Sequence, residues 1–291
     1  MNTFTTTYMW RRKYRLSSLD TLLRAALVAE KICVVDRTGG KYIDSPYSSQ
    51  STVVTQAIVG TYVPAVYTLT DELLTVNTEF IVSEHVYNFE ETLLAFDIMA
   101  NRLDDQDNRV KTAIDSFVLN ALCEAGTGTY STPSGGFTTT ANVIEILSNL
   151  LSKVAGYSEI FNGTYLVIEA SDIPGFIQAQ AANGFNMADA TLRNGFMSQY
   201  MGIDIYVVQS GTFVNTTYPG ANAGGTLTVT NDGHRVFGVK NVSTYAAPRS
   251  IQYEEKQVTG KTGKEIVTFG YIGFKAWFPK RALTVDVTLT A

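Results

Sequence analysis

Between Asn88 and Gly126 the chain reads NFEETLLAFDIMANRLDDQDNRVKTAIDSFVLNALCEAG, with neither Pro nor Gly before its last residue. Leu93, Leu94, Ile98, Leu103, Val110, Ile114, Phe117, Val118, Ala121 and Leu122 recur at helical spacing, so one face is apolar throughout. Asn88 with Glu91 three residues later forms a capping-box-like start, and Gly126 supplies the stop. A helix of ~36 residues rises on the order of 50 Å, about three times the usual length. Such a helix needs neighbours along its whole apolar face.

Upstream, Ser18 can cap a short helix whose stripe is Leu19, Leu22, Leu23, Ala26 and Leu27, ending near Lys31. Ile32–Val35 then reads as a strand. Residues 36–85 lack any helical period: Val53, Ile58, Val59, Tyr62, Val63, Val66 and Tyr67 are β-branched or aromatic, around Gly60 and Pro64. The expected form is a long β-hairpin with its tip near Gly60–Pro64 and Glu79–Val82 as the returning strand. A two-stranded ribbon buries no core of its own, so this one requires a partner surface.

Downstream, Gly126–Thr140 reads as a Gly/Ser/Thr-rich separator. Val143, Ile144, Ile146, Leu147, Leu150, Leu151 and Val154 make an amphipathic helix ended by Gly156, and Tyr165–Ile168 a buried strand. Ser171-Asp172-Ile173-Pro174 opens another helix, and Gly202–Val208 is the next strand. Helices alternating with apolar strands indicate an α/β unit. Residues 211–225 read as loop, Asp232-Gly233 as a hairpin turn, and Ile251–Val258 with Glu265–Phe278 as a hairpin about Gly260–Gly263. Leu283–Leu289 is the last strand.

The 291 residues carry 22 basic and 27 acidic groups, are 45% hydrophobic and 17% charged, and include 36 Thr, 16 Tyr and 15 Phe. This composition supports a large core and excludes a disordered chain, and the β-favouring residues point to a strand-rich α+β protein. Charge is segregated: +4 over residues 1–50, −9 over 51–135, −3 over 136–240 and +3 over 241–291. Like subunits can attract through such segments. With no apolar run behind Arg11, Arg12, Lys13 and Arg15, no secretory signal and no membrane span are expected.

Chemical motifs are weak. Gly260-Lys261-Thr262 resembles the end of a phosphate-binding loop, but Glu255 stands where that pattern needs Gly, and a strand follows. Asp104–Asn108 fails as a calcium loop because Arg109 and Val110 fill ligand and Gly positions. Asp105–Arg109 and Asp107–Lys111 fit better as i,i+4 pairs on a solvated helix face. His85 and His234 lack partners at metal-site spacing, and Cys33 and Cys123 read as small core residues. No catalytic, cofactor or metal residue is nominated, and an enzyme is not expected. Trp10 and Tyr14 interleave with Arg11, Arg12, Lys13 and Arg15 in a basic arm suited to nucleic acid, a subunit's acidic surface or solvent.

The order of these pieces resembles the tailed-phage major capsid proteins of the Hong Kong 97-like fold. Tyr165-Leu-Val-Ile-Glu-Ala-Ser-Asp172 and Met201-Gly-Ile-Asp-Ile-Tyr-Val-Val208 read like stretches of that family. The resemblance implies an N-arm with a short helix (1–35) and an extended β-hairpin loop (36–85). It also implies a peripheral domain with a long spine helix (86–135 and 241–291) and an axial α/β domain (136–240). By the same resemblance the chain assembles with itself into pentamers and hexamers of an icosahedral virion shell, around double-stranded DNA held by non-specific contact. Tyr62, Val63, Pro64, Val66 and Tyr67 become inter-subunit contacts, and a scaffolding protein, if used, is separate; portal and decoration proteins are further partners. Some members crosslink through a Lys on the extended loop; here Lys41, at its base, is the only Lys in 36–85, so assembly is expected to be non-covalent. An encapsulin-type compartment shell shares the fold and stays open, as does a β-rich surface-binding module from a different class.

Overall fold

The computed structural model describes residues 27–48, 68–87, 98–157, 163–182, 196–220, 225–249, 251–257 and 262–290. The helical stripe of the long central segment becomes a helix described over Ile98–Ala125. Val110, Ile114, Phe117, Val118 and Leu122 are each no more than 2% exposed. Two sheets supply the surfaces that cover it, as the length of the stripe requires.

The first sheet has six strands in the order β5 (Gly128–Ser134), β15 (Thr284–Thr290), β11 (His234–Val239), β6 (Thr164–Glu169), β8 (Ile203–Val208) and β7 (Phe196–Tyr200). β6 is buried at every position because both faces of the sheet are covered. Leu166, Ile168, Ile205, Phe237 and Val285 pack on one face with helices Thr140–Val154 and Ile173–Ala182. Tyr165, Val167, Tyr206 and Val236 face the long helix. Gly175 lets Ile173–Ala182 lie close: a Cβ there would stand 1.8 Å from the Phe137 carbonyl oxygen.

The second sheet is built on β14 (Lys264–Ala276), which pairs with β12 (Ser243–Ala246), β13 (Gln252–Gln257) and β4 (Thr78–Val86); β1 (Val34–Asp36) pairs parallel with β12. Phe80 and Ile272 pack against the long helix, with the Phe80 and Phe117 rings 5.8 Å apart. The carboxylate of Asp115 on that helix accepts the N–H groups of Val28 and Ala29, each at 2.9 Å. It thereby caps a one-turn helix, Ala29–Ile32, and ties it to the core. Two separate hairpins complete the described chain: β2 (Tyr42–Ser48) with β3 (Leu69–Thr75), and β9 (Asn215–Pro219) with β10 (Thr226–Thr230). No helix among the described residues is long and apolar enough to cross a membrane.

Several sequence expectations change. The strand returning from the 36–85 hairpin is Leu69–Thr75; Thr78–Val86, which includes Glu79–Val82, instead runs along β14. Gly128–Ser134 is a strand, drawn into the sheet by parallel pairing with β15. Residues 215–219 form a strand within the segment read as loop. Asp232-Gly233 turns the chain between β10 and β11, which pair with other strands and not with each other. The helix face bearing Asp105 is not solvated. Its ion pair to Arg109 forms at 2.7 Å, with the Asp105 side chain 4% exposed and Arg109 59%. Asp107 pairs with Lys111 as the spacing predicts. The capping start at Asn88, the helix stripe from Leu19 to Ala26 and the turn at Gly260–Lys261 lie outside the described residues.

Candidate functional site

Three groups of residues stand out: one buried charge cluster and two exposed apolar faces. In the cluster, Glu169 ends β6, Asp172 opens the turn into helix Ile173–Ala182, and Arg235 comes from β11. The Arg235 Nε donates to Asp172 Oδ2 at 2.6 Å and its Nη2 to Glu169 Oε2 at 3.3 Å. Glu169 Oε1 accepts the N–H groups of Gly211, Thr212 and Phe213 at 3.1–3.2 Å, and Arg235 Nη1 donates to the His234 carbonyl at 2.6 Å. Asn120 of the long helix holds the same loop from the other side, donating to the Thr212 carbonyl and accepting the Val214 N–H.

The carboxylates and guanidinium in this cluster all have partners, so it pins a loop, a helix start and two strands together. His234 is engaged by Asp286 at 2.9 Å. Cys33 accepts a hydrogen bond from Ser243, and burial pushes its thiol pKa up to about 12. Cys123 is buried too, with its thiol held well above the usual range by that burial. Among the described residues no group of three His, Cys, Asp or Glu side chains is placed to hold a metal ion. A cavity of about 580 Å³ opens between the long helix and the second sheet. Its rim carries the pairs Arg37–Glu30 and Lys111–Asp107, and Ile114 and Ile272 line it.

The two exposed faces follow from strand alternation. In the β2–β3 ribbon, Ile43, Ser45 and Tyr47 share a side with Glu72 and Leu74, and this side turns toward the body: Leu74 is 1% exposed. Tyr42, Asp44 and Pro46 share the other side with Leu69, Asp71 and Leu73, and there Tyr42 and Leu69 are 57% and 59% exposed. On the second sheet, Ile81 lies opposite Phe269 on the face away from the long helix, with Tyr271 beside them. Ile81 and Tyr271 are exposed, and the Phe269 and Tyr271 rings meet at 5.8 Å. Exposed apolar residues gathered on one side of a thin sheet make these two faces the candidates for a surface that another chain covers.

Tyr62, Val63, Pro64, Val66 and Tyr67 lie outside the described residues, as do Arg11, Arg12, Lys13 and Arg15. Sequence reasoning missed Tyr42, Leu69 and Leu73, although alternation in YIDSPYS and LTDELLT carries them. It also missed the Glu169–Asp172–Arg235 cluster, whose members are up to 66 residues apart.

No protein-family model matches the chain, and no curated protein does so by sequence. Solved structures do match over nearly its whole length. The capsid of cyanophage P-SCSP1u aligns at TM-score 0.70 and 13% identity, covering 99% of this chain and 96% of that one. Mycobacterium phage Che8 aligns at 0.68 and 14%, covering 99% and 98%. The capsid of an empty GTA particle aligns at 0.64 and 13%, covering 98% and 96%. The chain has the Hong Kong 97-like capsid fold. At this identity the likeness lies in the path of the backbone. Within the capsid fold, the buried cluster and the two exposed faces therefore stand on this chain's own geometry.

Proposed function

We propose that this chain is the major capsid protein of a tailed double-stranded DNA phage, assembling into the pentamers and hexamers of an icosahedral virion shell. The observation that carries the reading is the end-to-end match to phage capsid subunits. The exposed faces fit it: a ribbon that uses one side against its own body leaves the other for a neighbour. We assign residues 1–35 as the N-arm, 36–85 as the extended loop, 86–135 and 241–291 as the peripheral domain, and 136–240 as the axial domain. In these terms the helix Ile98–Ala125 is the spine, and Tyr62, Val63, Pro64, Val66 and Tyr67 are loop contacts to the adjacent subunit. Arg11, Arg12, Lys13 and Arg15 meet either the genome or an acidic neighbour. Contacts with DNA phosphates are non-specific and weaken with salt. Scaffolding, portal and decoration proteins are separate partners in this reading.

Many modest contacts repeated by symmetry close such a shell, so no catalytic step is needed. Negative-stain microscopy of the recombinant chain, with light scattering, tests the proposal. Closed shells or capsomer rings are the expected result. A monomer that persists across salt, concentration and added scaffolding protein overturns it in favour of a surface-binding module. Nucleic acid inside shells recovered from infected cells identifies a virus, and packaged enzyme identifies a protein compartment.

A further inference from the structure

The direction in which the β2–β3 ribbon leaves the subunit is held at two points on its inner face. At the root, Leu74 packs against β14 at Gly273, where a Cβ would stand 2.8 Å from Leu74 Cδ2 and 2.8 Å from the Thr75 carbonyl oxygen. Any side chain at 273 would lift the ribbon, so Gly273 is what allows the close seat. Farther out, Glu72 Oε2 accepts the N–H of Phe278 at 2.8 Å, and the Tyr47 ring lies 4.8 Å from the Phe278 ring at 49°. The platform under these contacts is itself anchored. Trp277 Nε1 donates to Thr244 Oγ1 of β12 at 2.7 Å, the Arg281 N–H closes a turn onto the Trp277 carbonyl at 2.7 Å, and the Arg281 guanidinium sits 5.3 Å from the Phe278 ring.

One contact at the root leaves a two-stranded ribbon free to swing; a second contact on the same face defines its direction. We propose that Glu72, Tyr47 and Phe278 act as a stay that sets the take-off angle of the hairpin, and through it the curvature at which copies of this chain join. The proposal rests on the shell reading above. In a shell of pentamers and hexamers the subunits take similar but not identical positions about one preferred take-off angle, so a shift of that angle at this point alters the number of subunits that close the shell or prevents closure. The stay is peripheral to folding: Phe278 is 40% exposed and Glu72 half-buried, while the seat at Leu74 is fully buried.

Glu72→Ala and Phe278→Ala test it in the full chain, with Glu72→Gln as the conservative variant that keeps an oxygen acceptor. Spin labels at Ser48→Cys and Ser148→Cys, both exposed, report the hairpin's direction in unassembled subunits. Cys33 and Cys123 are buried and protonated, so labelling falls on the introduced thiols. Seven residues of strand reach about 23 Å, so a swing of ~15° moves Ser48 by about 6 Å. The native chain and Glu72→Gln should give one narrow distance. Glu72→Ala and Phe278→Ala should spread it over several ångströms at an unchanged thermal midpoint, and their shells should lose the native single diameter. An unchanged distance in both Ala variants overturns the stay. A spread distance with shells of native diameter overturns its role in curvature. If the native chain makes no shells even with scaffolding protein added, the shell reading falls, and with it the role in curvature, while the distance measurement still decides whether the stay exists.

Discussion

The guanidinium of Arg235 is 4% exposed and held between two carboxylates that also cap backbone N–H groups. Removing it strands Glu169 and Asp172 as buried, under-compensated anions. Arg235→Met should therefore lower subunit stability by about 3–5 kcal/mol, read from the urea midpoint of the soluble chain. Cys33 gives a pH prediction. Burial holds its thiol near pKa 12 against 9.0 when unfolded. Between about pH 9 and 12 the native state keeps a proton that the unfolded state has lost. Stability from this group is thus fully present below pH 9 and falls by about 1.4 kcal/mol per pH unit through that window. Unfolding midpoints followed across alkaline pH should drop more steeply for the native chain than for Cys33→Ala; parallel curves would remove the thiol from the account. Both cysteines were legible as core residues because small apolar side chains in apolar runs bury by default. Asp105 was not: helical spacing identifies its partner Arg109, but only the approach of the second sheet, where Thr268 donates to Gln106 at 2.7 Å, shows that this helix face is covered.

At the scale of elements, the long helix is the part both sheets share. Phe117 lies 5.8 Å from Phe80 of β4 and 5.1 Å from Tyr218 of β9, and is 2% exposed. Phe117→Ala should cost about 3–5 kcal/mol, the range for emptying a core aromatic site, measured by denaturant unfolding with the helix signal as probe. A loss near zero would mean the neighbours collapse into the space. The helix was legible because its period is local and unbroken. β5 and β9 were not, for a shared reason. Gly128–Ser134 is rich in Ser and Thr, and becomes a strand only because β15, about 150 residues later, offers its edge. Asn215–Pro219 is set by β10, whose Val229 is its one fully buried anchor. Strand identity in such segments belongs to the pair and not to the segment.

For the whole molecule, the chemistry available at the hairpin bears on how subunits of the proposed shell would hold together. Lys41 sits at the foot of the ribbon, its carbonyl accepting the Val76 N–H at 2.9 Å and its ammonium 5.5 Å from the Tyr42 ring. Shells boiled in denaturant should run as a single 31.8 kDa band, and a ladder of covalent oligomers would refute non-covalent assembly. What the amino-acid order determined by itself was the set of strongly periodic parts: the long helix, the amphipathic helix Thr140–Val154, the apolar strands β6 and β8, and their sequence along the chain. Each is encoded by side chains within a turn or two of one another, so the hydrophobic pattern alone specifies them. Only the tertiary structure decided which strands pair, that Thr78–Val86 leaves the hairpin for β14, and that Arg235 closes on Glu169 and Asp172. Those outcomes depend on contacts between residues tens to hundreds of positions apart. Their free energy appears only when both partners are brought together and shielded from water.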